Sequence, residues 1–418
     1  MAYKLLRKLS YDSLENYAIE VNSRTNNPLA MNLPFQIHPY HRQQKLYNQN
    51  FRLFYLPVPE LSHLKEKLFL NSRTITELQE SLPPIAQKKV FLGNLLEEVK
   101  STNDIEGVQS SRKEINEAID VVLQNSKKNK RFVGIVNLYM NFRNHKFSKI
   151  ESVEDIRKIY DELLSDEIDE DKLPDGKLFR TDKVYVNKNG KPVHQGVGKG
   201  DDIESQVSNS LLELVNYMNS HEVPSLEKCI SSHYYLEYIH PFYDGNGRLG
   251  RFIACSYLSR KLDYLSAISF STSIKKKRGV YGTAFSEVSN PKNHGELTGF
   301  IIDMFKLLNE GQLAIIDELT EGKNSLDAID NYFETQNFDE LERNILFIMA
   351  QDYLFSRTDK LEDREIYGLI KDSTSKFSRR KFRTAISTLE ELNLIKQIKS
   401  KPMIHTFSDS LLTKINEL

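Results

Sequence analysis

An apolar repeat of about 3.6 residues runs through most of this chain from Leu61 onward, and it limits the folds open to the sequence. Such a repeat places apolar side chains on one face of a helix, so it predicts a mainly α-helical protein. With 418 residues, the chain is long enough for two or three domains that each bury a core. The predicted helices cover approximately residues 61–69, 74–81, 85–103, 111–125, 130–145, 152–165, 203–220, 225–239, 246–260, 273–288 and 294–319.

Two parts of the sequence depart from this helical pattern. Residues 1–50 are polar, with scattered Asn and Pro, and predict irregular or short structure, followed by a short strand within residues 51–60. Residues 173–202 are rich in Gly and Lys and contain a Val-Tyr-Val run before Asn189-Gly190. Because Asn-Gly suits the positive φ angles of a tight turn, this segment predicts a β-hairpin.

The C-terminal part has a different organisation. After a polar, partly helical segment at 321–340, helices are predicted near 340–355, 362–371 and 376–391, followed by strands at 394–398 and 403–407. Three helices followed by two short strands are typical of a winged helix-turn-helix domain. We therefore divide the chain into an N-terminal region (1–110), a central core (111–320) and a linker with a winged domain (321–418).

The segment IHPFYDGNGRLGRF, residues 239–252, has the pattern of an anion-binding site. A predicted helix ends at His240, since Pro241 cannot continue it. The turn Asp244-Gly245-Asn246-Gly247 then leads directly into the next helix. Backbone N–H groups at such a glycine-rich helix start bind anions, and the helix dipole adds favourable potential.

The charged side chains of this segment suit a polyphosphate. Arg248 and Arg251 are three residues apart, so both can face one anion, and guanidinium groups match phosphate oxygens. Asp244 is a suitable Mg²⁺ ligand beside phosphates, and His240 has the ordinary pKa of a general base. Each feature alone is usually a helix cap, a surface turn or a solvated face. Together they predict a site of phosphoryl or nucleotidyl transfer.

The same residues resemble the signature of the Fic family, HPFx(D/E)GNGRxxR, and every fixed position matches. The resemblance implies the helical Fic fold over roughly residues 60–320, with a β-hairpin flap. It also implies transfer of AMP from Mg-ATP to a protein, with His240 deprotonating the target hydroxyl. The other implied roles are Mg²⁺ coordination by Asp244, α-phosphate binding by Gly245, Asn246 and Gly247, β- and γ-phosphate binding by Arg248 and Arg251, and anchoring of the loop by Phe242.

A second motif precedes the core. Residues 102–107, Thr-Asn-Asp-Ile-Glu-Gly, match the family's inhibitory pattern (S/T)xxxE(G/N), at the end of a predicted helix that Gly107 caps. The resemblance implies that Glu106 pairs with Arg251 and occupies the γ-phosphate position, so that ATP binds unproductively. Otherwise Glu106 is simply an acidic residue at a helix end.

Three further site features are expected. The hairpin within 180–197 corresponds to the family's flap, whose strand edge could align an extended target segment, with Val184 or Val186 clamping the modified side chain. Tyr281 and Asn290 are candidates to contact the adenine or ribose, although an aromatic residue at helical spacing more often belongs to the core. His233, seven residues before His240, is interpreted as structural.

The predicted third helix of the C-terminal domain carries a basic face. Its cationic residues alternate with Phe377 and Phe382, which we expect to face the core. The cationic residues are Lys376, Arg379, Arg380, Lys381 and Arg383. This face predicts DNA binding through residues 376–383, the alternative being a protein contact or an ordinary solvated surface.

Composition limits the class of protein. The formal net charge of −1 argues against an overall polycation that binds nucleic acid. Cys229 and Cys255 lie in apolar helical runs and predict buried thiols in a reducing compartment. There is neither a signal-peptide core nor an apolar stretch of the ~20 residues that a membrane span needs. We therefore expect a cytoplasmic protein that makes no membrane contact. Frequent Lys, Asn, Ile and Tyr fit a bacterium with an AT-rich genome.

Two functions follow from these features. The leading hypothesis is a protein adenylyltransferase that modifies a Ser, Thr or Tyr hydroxyl of another protein or of itself and is autoinhibited by Glu106. Relatives that transfer UMP, phosphate or phosphocholine, or that remove AMP, leave the donor and the direction open. The alternative is a DNA-binding regulator whose Fic core senses nucleotide or modifies itself. In either case we expect a homo-oligomer.

Overall fold

The structure is a computed structural model that describes residues 3–418 apart from residues 127, 129, 148, 165, 166, 189, 358, 359 and 375. The protein is mainly helical, as predicted. The helices are α1 (Leu6–Leu9), α2 (Leu14–Thr25), α3 (Pro59–Glu80), α4 (Pro84–Glu106), α5 (Arg112–Leu123), α6 (Val133–Arg143), α7 (Val153–Leu164), α8 (Ile203–Asn219), α9 (Ser225–Ile239), α10 (Asn246–Lys261), α11 (Tyr264–Ile268), α12 (Phe270–Lys276), α13 (Arg278–Val288), α14 (Thr298–Thr335), α15 (Glu340–Phe355), α16 (Asp363–Ser373), α17 (Arg379–Glu391) and α18 (Asp409–Ile415). The strands are β1 (Met31–Ile37), β2 (Tyr40–His41), β3 (Gln44–Lys45), β4 (Phe51–Tyr55), β5 (Tyr185–Lys188), β6 (Lys191–Gln195), β7 (Ile395–Ser400) and β8 (Met403–Phe407). No helix in the described part of the chain has both the length and the apolar composition that crossing a membrane requires.

The chain divides into two compact units. The first contains residues 1–73 and 95–314, and the second contains residues 74–94 and 315–418. The expected boundary after residue 320 lies inside α14. The polar composition of 321–335 conceals a stripe of buried apolar residues at helical spacing, Leu326, Ile329 and Phe333, and this stripe carries the helix onward.

The N-terminal region is more regular than its sequence predicts. Ser13 caps α2 by accepting a hydrogen bond from the backbone N–H of Asn16. No residue of α2 is buried. Leu14, Tyr17, Ala18 and Val21 nevertheless follow the i, i+3, i+4, i+7 spacing of a helix, so the expectation of irregular structure here was wrong. Strand β1 alternates, with Leu33, Phe35 and Ile37 fully buried, and pairs antiparallel with β4.

The centre of the first unit is formed by α9 and α10. All but two residues of α9 are buried, as is every residue of α10 from Asn246 to Ser259. Cys229 and Cys255 are buried free thiols in these helices, as predicted. A helix that is buried on all sides belongs to the interior of its unit. The loop that joins the two helices is therefore held from both ends by the core.

The hairpin predicted between residues 180 and 197 is present as β5 and β6. The strands pair antiparallel, with Val186 opposite His194. Just after β6, the backbone N–H of Val197 donates to the carbonyl oxygen of Ile239, at 3.0 Å, which ties the hairpin to the end of α9. The Asn189 position of the predicted Asn-Gly turn lies outside the described residues.

The C-terminal part of the second unit has the predicted order of elements. Helices α15, α16 and α17 are followed by β7 and β8, which pair antiparallel with Ile395 opposite Phe407. Phe382, Ile386 and Leu389 of α17 are buried. Assignment of these elements to a winged helix-turn-helix domain remains a prediction.

Candidate active site

His240 ends α9 in a strained backbone conformation. Its φ of 52° lies in the left-handed region, which few non-glycine residues adopt. Arg180 holds the chain there, because its Nε donates to the carbonyl oxygen of His240 at 2.7 Å and one Nη donates to that of Ile239 at 3.2 Å. The guanidinium is fully buried and also donates to the carbonyl oxygens of Asp182 and Val197. Arg180 therefore shapes the turn that presents the His240 ring.

The surroundings of His240 favour its neutral form. Its Nδ1 lies 3.3 Å from the carbonyl oxygen of Glu237. A carbonyl can only accept a hydrogen bond, so Nδ1 carries the proton and Nε2 keeps the lone pair. Burial lowers the pKa of His240 to about 4, although the Glu237 carbonyl and the carboxylates of Glu106 and Asp244 act in the opposite direction. At neutral pH the ring is thus an unprotonated base.

The glycine-rich turn is fixed by local contacts. Gly245 has a φ of 81°, and a Cβ there would overlap Leu164, so the turn requires glycine on both counts. Phe242 is fully buried and stacks on Tyr160, with ring centroids 3.6 Å apart. These contacts hold the turn against α7 and agree with the anchoring role expected of Phe242.

Asn246 is engaged differently from the sequence interpretation. Its Oδ1 accepts from the backbone N–H of Phe242 at 3.0 Å, and its Nδ2 donates to the Phe242 carbonyl at 2.8 Å. The residue is buried, so in this state its amide closes the loop and is not free to bind an α-phosphate. Of the expected α-phosphate donors, this leaves the backbone N–H groups at the start of α10, and phosphate binding there remains a prediction.

Arg251 is held by the helix that precedes the core. Its Nη2 lies 2.8 Å from Glu106 Oε1, and its Nε donates to Thr102 Oγ1 at 2.9 Å. Burial would lower the pKa of Arg251, but the Glu106 carboxylate reverses this and raises it. A Cβ at Gly247 would overlap the Glu106 carboxylate, which shows how closely α4 approaches the turn. The structure thus contains the contact that the inhibitory pattern predicts.

Arg248 has a partner that the sequence does not indicate. Its Nη1 lies 2.7 Å from Glu167 Oε2, and both side chains are 1% exposed. Burial raises the pKa of Glu167 to about 7, against the lowering effect of Arg248. Each arginine of the motif is therefore paired with a carboxylate from a different part of the chain.

Asp244 is placed where a cation could reach it. Its Oδ1 accepts from the backbone N–H of Gly245 at 2.6 Å, while its side chain is 38% exposed. Within the described residues, no group of three or more His, Cys, Asp or Glu side chains forms a metal cage. Since Mg²⁺ commonly uses one or two carboxylates together with phosphate oxygens and water, a single carboxylate beside an anion-binding turn fits Mg²⁺ that arrives with a polyphosphate.

Of the two residues expected to contact adenine or ribose, Tyr281 and Asn290, only one lies near the motif helix α10. Tyr281 is buried, and its hydroxyl lies 2.8 Å from His233 Nε2. Burial raises the pKa of Tyr281, and the charges of Arg251 and Glu106 also act on that pKa, so Tyr281 lies beside Arg251 of α10. Asn290 instead caps a short 3₁₀ helix, accepting from the backbone N–H of Lys292 at 3.0 Å. Its side chain serves the local turn because Pro291 begins that helix.

The two valines of the hairpin differ in exposure. Val184 is buried beside Gly196, and its carbonyl oxygen accepts from the Gly196 N–H at 3.1 Å. Val186, within β5, is only partly buried. Of the two, Val186 lies on β5, which among the described residues pairs only with β6. An extended segment could add to the other side of β5.

Several residues that shape the site carry no motif signal. Lys45 is buried, donates from Nζ to the carbonyl oxygens of Gln195 and Gly196, and so braces the hairpin; burial lowers its pKa to about 7. Arg180 and Glu167 lie far from the motif in sequence. Thr102, by contrast, is the first residue of the inhibitory pattern, although its hydrogen bond with Arg251 was not expected from the sequence.

The fold and the site together define a class. A buried turn between two helices offers a neutral imidazole, backbone N–H groups and two arginines within one short segment, as a group-transfer site for phosphate esters requires. A family model described as the Fic/DOC family matches residues 150–258, which include the hairpin and the turn. Residues 150–258 are therefore a Fic/DOC domain, and proteins with such a domain are typically transferases.

Solved structures of Fic proteins are also similar to this chain. A Fic family protein from Desulfovibrio desulfuricans is 16% identical with a TM-score of 0.48, over 85% of this chain and 98% of that one. Fic-1 from C. elegans is 18% identical with a TM-score of 0.43, over 62% and 74% of the two chains. A Fic domain containing signaling protein from Bacteroides thetaiotaomicron is 15% identical with a TM-score of 0.39, over 62% and 96%. No curated protein matches the chain.

Proposed function

We propose that this protein transfers AMP from ATP to a hydroxyl side chain of a protein. The observation that carries the proposal is the neutral His240 ring, which has Nδ1 on the Glu237 carbonyl and lies near enough to Asp244 and Glu106 for both carboxylates to act on its pKa. An ATP-binding protein that performs no transfer does not need a base at that position. A base beside a phosphate cradle suits removal of a proton from an attacking hydroxyl.

The transfer step balances with these groups. The target hydroxyl oxygen attacks the α-phosphorus, forming a new P–O bond while the bond to the bridging α–β oxygen breaks and pyrophosphate leaves. His240 Nε2 accepts the hydroxyl proton. The N–H groups at the start of α10, with Arg248 and Arg251, stabilise the phosphate charge. Mg²⁺, held by Asp244, would neutralise phosphate charge when bound.

Regulation by Glu106 follows from the ion pair with Arg251. A guanidinium that is committed to a carboxylate offers fewer donors to a phosphate, and the carboxylate repels that phosphate. The backbone at Gly107, with a φ of 76°, ends α4 directly after Glu106. Shifting the end of this helix would release Arg251 for ATP.

The proposal is tested with wild type, two single variants and their combination. Wild type, Glu106→Gly and His240→Ala are incubated with Mg²⁺ and α-labelled ATP or, separately, α-labelled UTP, and label on protein is measured. We expect the Glu106→Gly protein to incorporate label from ATP at least about tenfold faster than wild type, since the competing carboxylate is gone. The combined variant Glu106→Gly, His240→Ala should lose that label while retaining ATP binding.

Label that survives removal of His240 would refute its role as the base. Equal labelling of wild type and Glu106→Gly would refute the inhibition. Label from UTP in place of ATP would retain the chemistry and change the donor.

A second candidate function is DNA binding by the second unit. Arg379, Arg380, Lys381 and Arg383 fall within the first five residues of α17 and are exposed. In the described part of the chain, no acidic side chain forms an ion pair with any of these four residues. Cations at a helix N-terminus oppose the helix dipole, so an anionic partner would relieve an unfavourable arrangement. A helix of this kind, facing phosphates, supports the alternative of a DNA-binding regulator.

A further inference from the structure

The ion pair between Arg248 and Glu167 lies within the proposed ATP site and has no role in the transfer chemistry. Both side chains are 1% exposed, and Nη1 and Oε2 are 2.7 Å apart. In the described structure, Arg248 Nε is buried and has no hydrogen-bond partner. The guanidinium therefore retains unsatisfied donor capacity at the position where a phosphate is proposed to bind.

A buried ion pair of this kind contributes little net free energy to folding. Burying two charges costs desolvation that their attraction often only balances, and burial raises the pKa of Glu167 to about 7, which indicates a poorly solvated carboxylate. Glu167 follows α7, and its backbone is partly exposed although its side chain is not. Its backbone N–H donates to the Leu164 carbonyl at 3.1 Å. The carboxylate can thus leave Arg248 without unwinding a helix.

A cation from the same part of the chain lies near Asp244. Lys172 Nζ is 3.9 Å from Asp244 Oδ2 and 2.7 Å from Asp169 Oδ2. This contact is partly exposed and contributes little to stability. The positive charge of Lys172, however, has the same sign as the metal ion proposed for Asp244. One short stretch thereby presents an anion to Arg248 and a cation to Asp244, the same charges as a phosphate group and a divalent cation.

We propose that Glu167 and Lys172 form a second latch, which imitates the charges of Mg-ATP and is separate from the Glu106 contact. The latch must release Arg248 before a nucleoside triphosphate can engage both arginines. This inference rests on the proposed function, because it takes ATP as the ligand that displaces Glu167. It implies that removal of Glu106 alone leaves the site only partly open.

A merely positioning role for Glu167 leads to the opposite expectation. If the carboxylate orients Arg248 toward phosphate, its neutralisation weakens ATP binding. If it blocks Arg248, neutralisation strengthens ATP binding, since the phosphate no longer competes with a buried anion. The sign of the change in affinity therefore separates the two roles.

The test compares ATP affinity in three proteins that all carry Glu106→Gly. The first has no other change, the second adds Glu167→Gln, and the third adds Glu170→Gln. Glu170 is an exposed acid close to Glu167 and makes a matched control, because its change removes the same charge without touching Arg248. The dissociation constant of ATP with Mg²⁺ is measured by calorimetry, together with the rate of AMP incorporation and the thermal unfolding midpoint.

We expect Glu167→Gln to tighten ATP binding by about tenfold, within the range usual for coupled sites, and Glu170→Gln to change it less than about twofold. Unchanged or weaker binding in a Glu167→Gln protein that melts at the control temperature would overturn the latch. If Glu106→Gly transfers AMP and only the Glu167 effect is missing, the proposed function survives without the latch. If none of the three proteins binds ATP, both proposals fall.

Discussion

His240 combines a strained backbone with a desolvated ring. The left-handed φ ends α9 at this residue, and the Arg180 guanidinium stabilises the turn through main-chain carbonyl groups. Burial then disfavours the imidazolium form more strongly than the nearby carboxylates favour it. A base of this kind remains unprotonated in moderately acidic solution, and the consequence can be measured.

We predict that the rate of AMP incorporation falls only at an unusually low pH. With a pKa of about 4, His240 is neutral throughout pH 5.5 to 7.5, so AMP incorporation by Glu106→Gly at saturating Mg-ATP should change less than about twofold across this range. An imidazole of ordinary pKa would lose about tenfold over the same range. Such a tenfold loss, in protein shown by circular dichroism to remain folded, would refute the assignment. Glu106 raises the pKa of His240, so its removal can only lower that pKa further. The Glu106→Gly variant should therefore keep the flat pH profile that we predict.

At the scale of elements, a buried histidine joins three elements of the second unit. His405 of β8 places Nδ1 2.8 Å from Asp363, at the start of α16, and Nε2 3.2 Å from Glu390, near the end of α17. Carboxylates only accept hydrogen bonds, so both ring nitrogens carry protons and the ring is cationic. Burial opposes this state, but the two carboxylates outweigh it and raise the pKa of His405.

We predict that this contact stabilises the second unit mainly at acidic and neutral pH. Because the folded pKa lies above the ordinary value, the contribution is fully present below about pH 6.5 and is lost as pH rises through the folded pKa. His405→Gln should lower the opening free energy by about 1–3 kcal/mol at pH 6 and by less at pH 9. Hydrogen exchange of residues 395–407, read by mass spectrometry, reports this locally. His221→Gln, at an exposed position, is the control, and an equal loss at both pH values would contradict the charged state.

At the scale of the whole molecule, a net charge of −1 conceals an uneven distribution. The start of α17 concentrates four cations, and the hairpin that follows adds the exposed Lys399 and Lys401. Local cationic surfaces of this kind attract polyanions even when the total charge is near zero. This distribution makes the DNA-binding alternative testable on the full chain.

If the second unit binds DNA, the double variant Arg379→Ser, Arg383→Ser should weaken binding of the full chain to duplex DNA by about tenfold or more at low salt. It should also reduce the slope of log affinity against log salt by roughly 0.9 for each phosphate that the variant no longer neutralises. Fluorescence anisotropy with a labelled duplex measures both. Lys128→Ser, Lys146→Ser, at exposed positions of the first unit, is the matched control. Equal affinity in all three proteins would assign the basic face of α17 to solvent or to a protein partner.

Local rules explain what the sequence alone determined. Helical repeats, the end of α9 before Pro241 and the glycines of the turn act over a few neighbouring residues, so helical class, the β5–β6 hairpin and the position of the turn could be predicted. Helix α2 was missed because its short apolar repeat, Leu14, Tyr17, Ala18 and Val21, lies in a polar segment with scattered Asn and Pro. The polar surface of α14 concealed its continuation past residue 320.

The tertiary structure decided which groups meet. Arg248 and Glu167 are 81 residues apart in sequence, and Arg180 and His240 are 60 apart. The Asn246 amide, which was expected to bind the α-phosphate, instead makes two hydrogen bonds with the backbone of Phe242. A buried side chain takes the partner that packing brings near, and no local pattern encodes that choice. The sequence therefore determined the kind of site, and the packing of α4 and of the stretch after α7 decided which carboxylates hold its arginines.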